Sequence, residues 1–264
     1  MSFDVRLHPQ GLTDKDLESL RIFGVTHVLI APTLEPGVDA KGILAHFDEL
    51  LGPQLKRVRS HGLTAFVSLG IAAPSVPRRG LQEVLAALPS YLGQAPVKAL
   101  GALGLVKKAP KGEQPAGATD ADEDAMLEQL KLARRFSLKV LATVPGAAKE
   151  TVTRSTLSVL RKSGVNPAQV LVDGVSERTV RAVREFGFYA GVNLHPDHVR
   201  AEDAAKLVRT LGPERLVLAS AAGEGACDLL SLPRAAHLME KAGLSTKVVE
   251  KVTLENASSW LGIG

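Results

Sequence analysis

Short apolar runs rich in β-branched residues alternate along the chain with longer runs whose apolar positions recur every three or four residues. Eight short runs stand out: FDVRL (3–7), VTHVLIA (25–31), LTAFVSL (63–69), KALGALGLV (98–106), LKVLATV (138–144), QVLVDG (169–174), FYAGVNL (188–194) and RLVLAS (215–220). Runs of this length and composition predict buried strands, and the spacing between them predicts amphipathic helices. DKDLESLRIF, AKGILAHFDELLGPQLKRVRSHG and DEDAMLEQLKLARRF are examples of the helical kind. Thr13, Asp39 and Ser176 stand where helices would begin and have side chains that cap free backbone N–H groups. Gly24, Gly62, Gly164, Gly187 and Gly243 follow predicted helix ends, where a left-handed residue closes the last turn.

Each strand is followed by a helical stretch, so successive strands return through a crossover and must pair in parallel. Eight such units predict an α/β fold, a (β/α)8 TIM barrel forming a single domain over residues 1–264. An open doubly wound sheet is the alternative, but no G-x-G-x-x-G turn follows the first strand. The segment Lys107 to Thr119 (KKAPKGEQPAGAT) reads as a mobile βα loop and not as a linker between domains.

Composition narrows the function classes. A chain of 264 residues is long enough to bury roughly 70–75% of its unfolded surface without covalent staples. Its single cysteine, Cys227, excludes an internal disulfide framework and fits a reducing compartment. The opening MSFDVRLHPQ lacks the charged-then-apolar order of a secretory signal, and no apolar stretch spans a bilayer, so a cytoplasmic location is expected. Lys and Arg exceed Asp and Glu by only 32 − 28 = 4 charges, despite a pI near 9.2. The densest basic stretch, KRVR at 56–59, lies late in a helical pattern, where it complements the helix dipole. With aromatics at 4%, stacking surfaces for nucleic acid are scarce. A small anionic ligand or an unidentified protein partner is the expectation that remains.

Barrel chemistry gathers at the C-terminal strand ends. Strand alternation puts Asp4, Arg6 and His8 on one face of the first strand. Arg6 then has two readings: a buried ion pair with Asp4 filling the barrel centre, or a guanidinium that grips a carboxylate or phosphate, with Asp173 orienting it. Gly223-Glu224-Gly225 follows the eighth strand, where barrels often hold phosphate. Cys227 reads as a half-buried thiol, since no base or oxyanion motif accompanies it. His27, His46, His61 and His237 stand in helix or strand contexts away from the mouth and read as structural or exposed.

FDVRLHPQGLTDKDLESLRIFGVTHVLI at the start, with GPERLVLASAAGEG and LPRAAHLMEKAGLSTKVVEKVTLENASSWLG near the end, resembles the TatD-like metal-dependent hydrolases of the amidohydrolase superfamily. The resemblance runs the whole length, from the Asp-x-His-x-His strand through Gly-Leu-[Ser/Thr]-Asp to the Glu-Asn pair of the last helix, here Glu255-Asn256. It implies a divalent-metal centre, yet the matching positions have changed. The first strand keeps His8 but has Arg6 for the other histidine, and the fourth reads Gly101-Ala102-Leu103-Gly104 where the family has a glutamate. The fifth places Thr143 and the sixth Gly174 after Asp173 where the family has histidines, and Ala221 follows Ser220 where it has an aspartate.

A catalytic zinc needs about three protein ligands and an open position for water. The expectation is therefore no metal, no cofactor and no catalytic residue. The protein would be a non-catalytic pseudoenzyme acting as a scaffold, regulatory partner or small-anion binder, with Asp4, Arg6, His8, Thr143, Asp173, His195 and Ser220 as pocket candidates. The alternative is a metal-dependent hydrolase with zinc or manganese relocated to His8, His195 and His198.

Overall fold

The structure, a computed structural model, describes residues 1–77, 79–105, 119–144, 149–195 and 199–263. Its strands are β1 (Ser2–Leu7), β2 (Val25–Ile30), β3 (Thr64–Leu69) and β4 (Val97–Leu103). They continue with β5 (Lys139–Thr143), β6 (Val170–Asp173), β7 (Tyr189–Asn193) and β8 (Leu216–Ala219). All pair in parallel in the order β1 to β8, so each apolar run of the sequence becomes one stave of a (β/α)8 barrel. The fourth strand ends at Leu103, and most of the basic loop expected after it, 106–118, falls outside the described residues.

The helices are α1 (Asp14–Ile22), α2 (Ala40–Glu49), α3 (Leu55–Ser60), α4 (Leu81–Leu92), α5 (Asp120–Arg135) and α6 (Lys149–Ser163). Then come α7 (Glu177–Glu185), α8 (Ala204–Leu211), α9 (Ser231–Lys241), α10 (Thr246–Glu250) and α11 (Asn256–Leu261). The expected caps form: Thr13 and Asp16 make a reciprocal capping box, and Asp39 Oδ1 accepts the Gly42 N–H. The long helical pattern after Asp39 is α2 and α3 joined through a π turn at Leu50–Gln54, which contains Pro53 and so lacks one donor. None of the described helices is long and apolar enough to cross a membrane.

Alternating strand residues divide into two buried layers. Val28, Ile30, Val67, Val140, Val172 and Val192 pack outward against the helices. Phe3, Leu29, Leu141, Leu171 and Val217 fill the interior together with Ala257, Trp260 and Leu261 of α11. Trp260 is fully buried and its indole N–H donates to Gln169 O just before β6 (2.9 Å), so α11 plugs the N-terminal end of the barrel. The opposite end is left to polar residues.

One irregularity positions the site. Between β1 and β2 the register runs Asp4 to Val28 and then Leu7 to Ile30, three steps on one strand against two on the other. Such a bulge re-aims the side chains that follow it. It explains how Val5 lies in the interior layer while its neighbour Arg6 also reaches across the barrel, which strict alternation would forbid. The seam between β8 and β1 is closed by His8 N–H to Ala222 O (2.8 Å).

Candidate functional site

Arg6 is the hub of the C-terminal mouth. Its Nη1 donates to Asp173 Oδ2 on β6 (3.0 Å), its Nη2 to Glu224 Oε2 in the loop after β8 (2.5 Å), and its Nε to His8 Nε2 (3.3 Å). Asp173 is fully buried, whereas the Glu224 side chain is 34% exposed, so the guanidinium joins a buried carboxylate to a solvent-facing one. Burial alone would lower the Arg6 pKa, but the two carboxylates outweigh it and raise it.

An arginine donates and never accepts, so His8 Nε2 must be the bare nitrogen of a neutral ring. Its other nitrogen, Nδ1, then carries the proton and lies 3.1 Å from Ala31 O and 2.6 Å from Thr33 Oγ1. Burial, reinforced by the Arg6 cation, pushes the His8 pKa down to about 4, in accord with that geometry. The 3.6 Å approach of His8 Nε2 to Glu224 is therefore a contact of a neutral imidazole and not an ion pair. Thr33 N–H donates in turn to His46 Nε2 (3.3 Å), so His46 stands behind His8 as a support.

Asp4 serves the barrel seam. It accepts Ser220 N–H (3.1 Å) and the Ser220 hydroxyl, as well as Arg6 N–H (3.2 Å). Burial pushes its pKa up to about 6, against the lowering effect of the Ser220 bonds. Ser220 also accepts Ala222 N–H (3.0 Å) and so shapes the turn that presents Glu224. That turn passes very close to the first loop: a Cβ on Gly223 would lie 2.0 Å from His8 O, and one on Gly11 would lie 2.1 Å from Gly223 O. Cys227 Sγ accepts Gly223 N–H (3.1 Å), which assigns this thiol to holding the loop.

The structure thus brings together Arg6, His8 and Asp173, with Asp4 and Ser220 tied to one another beside them. Thr143 is apart from this group, its hydroxyl donating to Leu103 O (3.0 Å) across β5 and β4. His195 lines a different cavity, beside the mouth, and His198 lies outside the described residues. Of the two readings of Arg6, the one that paired it with Asp4 is not what forms; its carboxylate partners are Asp173, which the other reading had placed nearby, and Glu224. Glu224 was visible in the sequence only as the middle of a glycine pair. Asn193 at the tip of β7, buried with an unpartnered Oδ1, gave no signal in its run of apolar neighbours.

No protein-family model matches the chain. Along 97% of its length it is 21% identical to a protein of Methanocaldococcus jannaschii described as an uncharacterized metal-dependent hydrolase, 98% of which is covered. Among solved structures it superposes on a TatD-like protein from Archaeoglobus fulgidus with a TM-score of 0.79 and 23% identity, over 99% of this chain and 100% of that one. The phosphotriesterase homology protein of Escherichia coli, solved with phosphate in its active site, gives 0.73 at 14% identity over 98% of both chains.

The first of these comparisons corrects the expectation that the chain takes no cofactor, since a relative matched from end to end is described as metal-dependent. That expectation counted the ligand positions implied by the resemblance, of which His8, with Asp4 beside it, was all that remained. As arranged, the donor set does not fit a metal ion. Arg6 occupies the space between His8, Asp173 and Glu224. A metal there would first have to displace the guanidinium. In its barrel and from end to end the chain is thus similar to a TatD-like protein and to a protein described as a metal-dependent hydrolase.

Proposed function

We propose that the protein is a non-catalytic TatD-like barrel that binds a small carboxylate or phosphate anion at Arg6. The observation that carries this reading is the Glu224 contact: a half-exposed carboxylate from a glycine-flanked loop already lies on the guanidinium at 2.5 Å. Glu224 holds the position a ligand carboxylate would take, and Asp173 and His8 fix the guanidinium from its other sides. A planar guanidinium held on two sides offers its third to an anion with little reorganisation. Calorimetric titration with succinate and with inorganic phosphate at neutral pH tests the reading. Saturable binding, lost in Arg6→Met and tightened in Glu224→Gln, is the expected result. Absence of binding by either anion overturns it.

A second reading rests on the full-length likeness to a protein described as a metal-dependent hydrolase. Phosphodiesterase and esterase assays with added Mn²⁺ and Zn²⁺ separate the two. Turnover that requires metal and disappears in Asp173→Asn favours hydrolysis over binding.

A further inference from the structure

We infer that Glu224 is a built-in competitor at the Arg6 site: its loop is a strap that shuts the site with its own carboxylate and opens when the carboxylate of a small acid takes its place. The inference rests on Arg6 being the anion-binding group, and it adds which anion binds and how the site is kept closed.

The strap is Glu224 to Cys227, slung between two fixed points. At one end Gly223 is wedged against the first loop, where an added Cβ would lie 2.0 Å from His8 O. At the other, Asp228 accepts Leu230 N–H through Oδ1 (3.1 Å) and pairs with Arg234 through Oδ2 (2.8 Å) at the start of α9. Between these points Gly225 and Ala226 are exposed, and nothing lies within 4 Å of a Cβ built on Gly225. The strap therefore has room to swing outward, with a glycine next to Glu224 to absorb the change.

Glu224 reaches Arg6 through one oxygen, Oε2 to Nη2 (2.5 Å), while Asp173 and His8 hold the guanidinium from buried positions. A carboxylate tethered this close is present at high effective concentration, so it outcompetes a dilute acid and yields to a concentrated one.

The charges name the ligand. With His8 neutral, the centre holds one cation against two carboxylates, and Asp4 lies beside it. Lifting Glu224 out leaves Arg6 and Asp173 balanced. A monocarboxylate then restores the charge that the centre already accommodates. A phosphate dianion brings one negative charge more than the strap takes away, next to a buried carboxylate where little water screens it.

Propionate, which matches the end of the Glu224 side chain, tests this beside inorganic phosphate slightly above neutral pH, where phosphate is mainly the dianion. Both are titrated into the wild type, Glu224→Gln and the double variant Arg6→Met/Asp173→Asn, followed by chemical-shift changes in the protein spectrum. Propionate should bind Glu224→Gln about tenfold more tightly than the wild type, because a strap shut about nine-tenths of the time leaves about a tenth of the sites open. Phosphate should bind both more weakly than propionate does. Cys227, the single cysteine, reports the strap directly, since opening draws its Sγ off the Gly223 N–H. Its labelling by a disulfide reagent should quicken severalfold when propionate saturates the wild type, and should already be quick in Glu224→Gln without ligand. Equal propionate affinity in the wild type and Glu224→Gln, or a labelling rate that propionate leaves unchanged, overturns the strap and leaves the Arg6 reading standing. Tighter binding of phosphate than of propionate overturns the assignment of a carboxylate. Propionate that fails to bind Glu224→Gln, or that binds the double variant as well, overturns the Arg6 reading and this inference with it.

Discussion

Arg6 on β1 reaches through the barrel mouth to Asp173 on β6, placing Nη1 3.0 Å from a fully buried carboxylate oxygen. Arg6→Met should destabilise the fold by roughly 3–5 kcal/mol, because it leaves the Asp173 carboxylate buried without its arginine, and Asp173→Asn should cost less, because Arg6 keeps Glu224. The double variant should lose much less than the sum. Urea unfolding of the four proteins checks this, and additive losses would show that the two side chains do not depend on each other.

Asp4 and His8 make opposing contributions to stability on the acid side of neutrality. The His8 pKa is lowered from 6.5 to about 4, so between those values the unfolded chain binds a proton that the folded one refuses. Stability from His8 is therefore present above pH 6.5 and lost as pH falls towards 4. The Asp4 pKa is raised from 3.8 to about 6, so the folded chain binds the extra proton and stability rises as pH falls through 6. Each effect is on the order of 3 kcal/mol, so over this window they nearly cancel. His8→Gln should gain stability relative to the wild type on acidification from pH 6.5 to 4, and Asp4→Asn should lose it. Denaturation midpoints at half-unit intervals of pH provide the readout.

The loop that carries Glu224 depends on the absence of a side chain at Gly223. Gly223→Ala would drive a Cβ to within 2.0 Å of His8 O from a backbone at φ +88 and should cost about 2 kcal/mol or more. Gly225→Ala is the control. Its φ is +56 and nothing lies within 4 Å of the added carbon, so only the conformational penalty of about 1 kcal/mol applies. Equal losses in thermal unfolding would mean that the crossing of the two loops is not tight.

Trp260 closes the far end of the barrel. Trp260→Ala should cost about 3–5 kcal/mol, since it opens a cavity among Phe3, Leu171 and Val217. Trp260→Phe keeps most of the volume but forfeits the bond to Gln169 O, a smaller loss of roughly 1–2 kcal/mol. Chemical denaturation of the pair tests the ranking.

The sequence by itself determined the barrel. Short apolar runs rich in β-branched residues, separated by stretches of helical period, are a local property of the chain, and eight repetitions leave parallel closure as the way to bury every strand. It also pointed to Arg6, His8 and Asp173 as residues of one end. Only the tertiary structure decided how they meet. Asp173 and Glu224 are 167 and 218 residues from Arg6, and no pattern along the chain encodes a distance across a closed barrel. A one-residue bulge in β1 re-aims Arg6, and two glycines let the first and last loops touch, which delivers Glu224 to the guanidinium. Periodicity follows from what neighbouring residues bury, whereas the partners of a buried charge depend on strand tips that converge only once the sheet has closed.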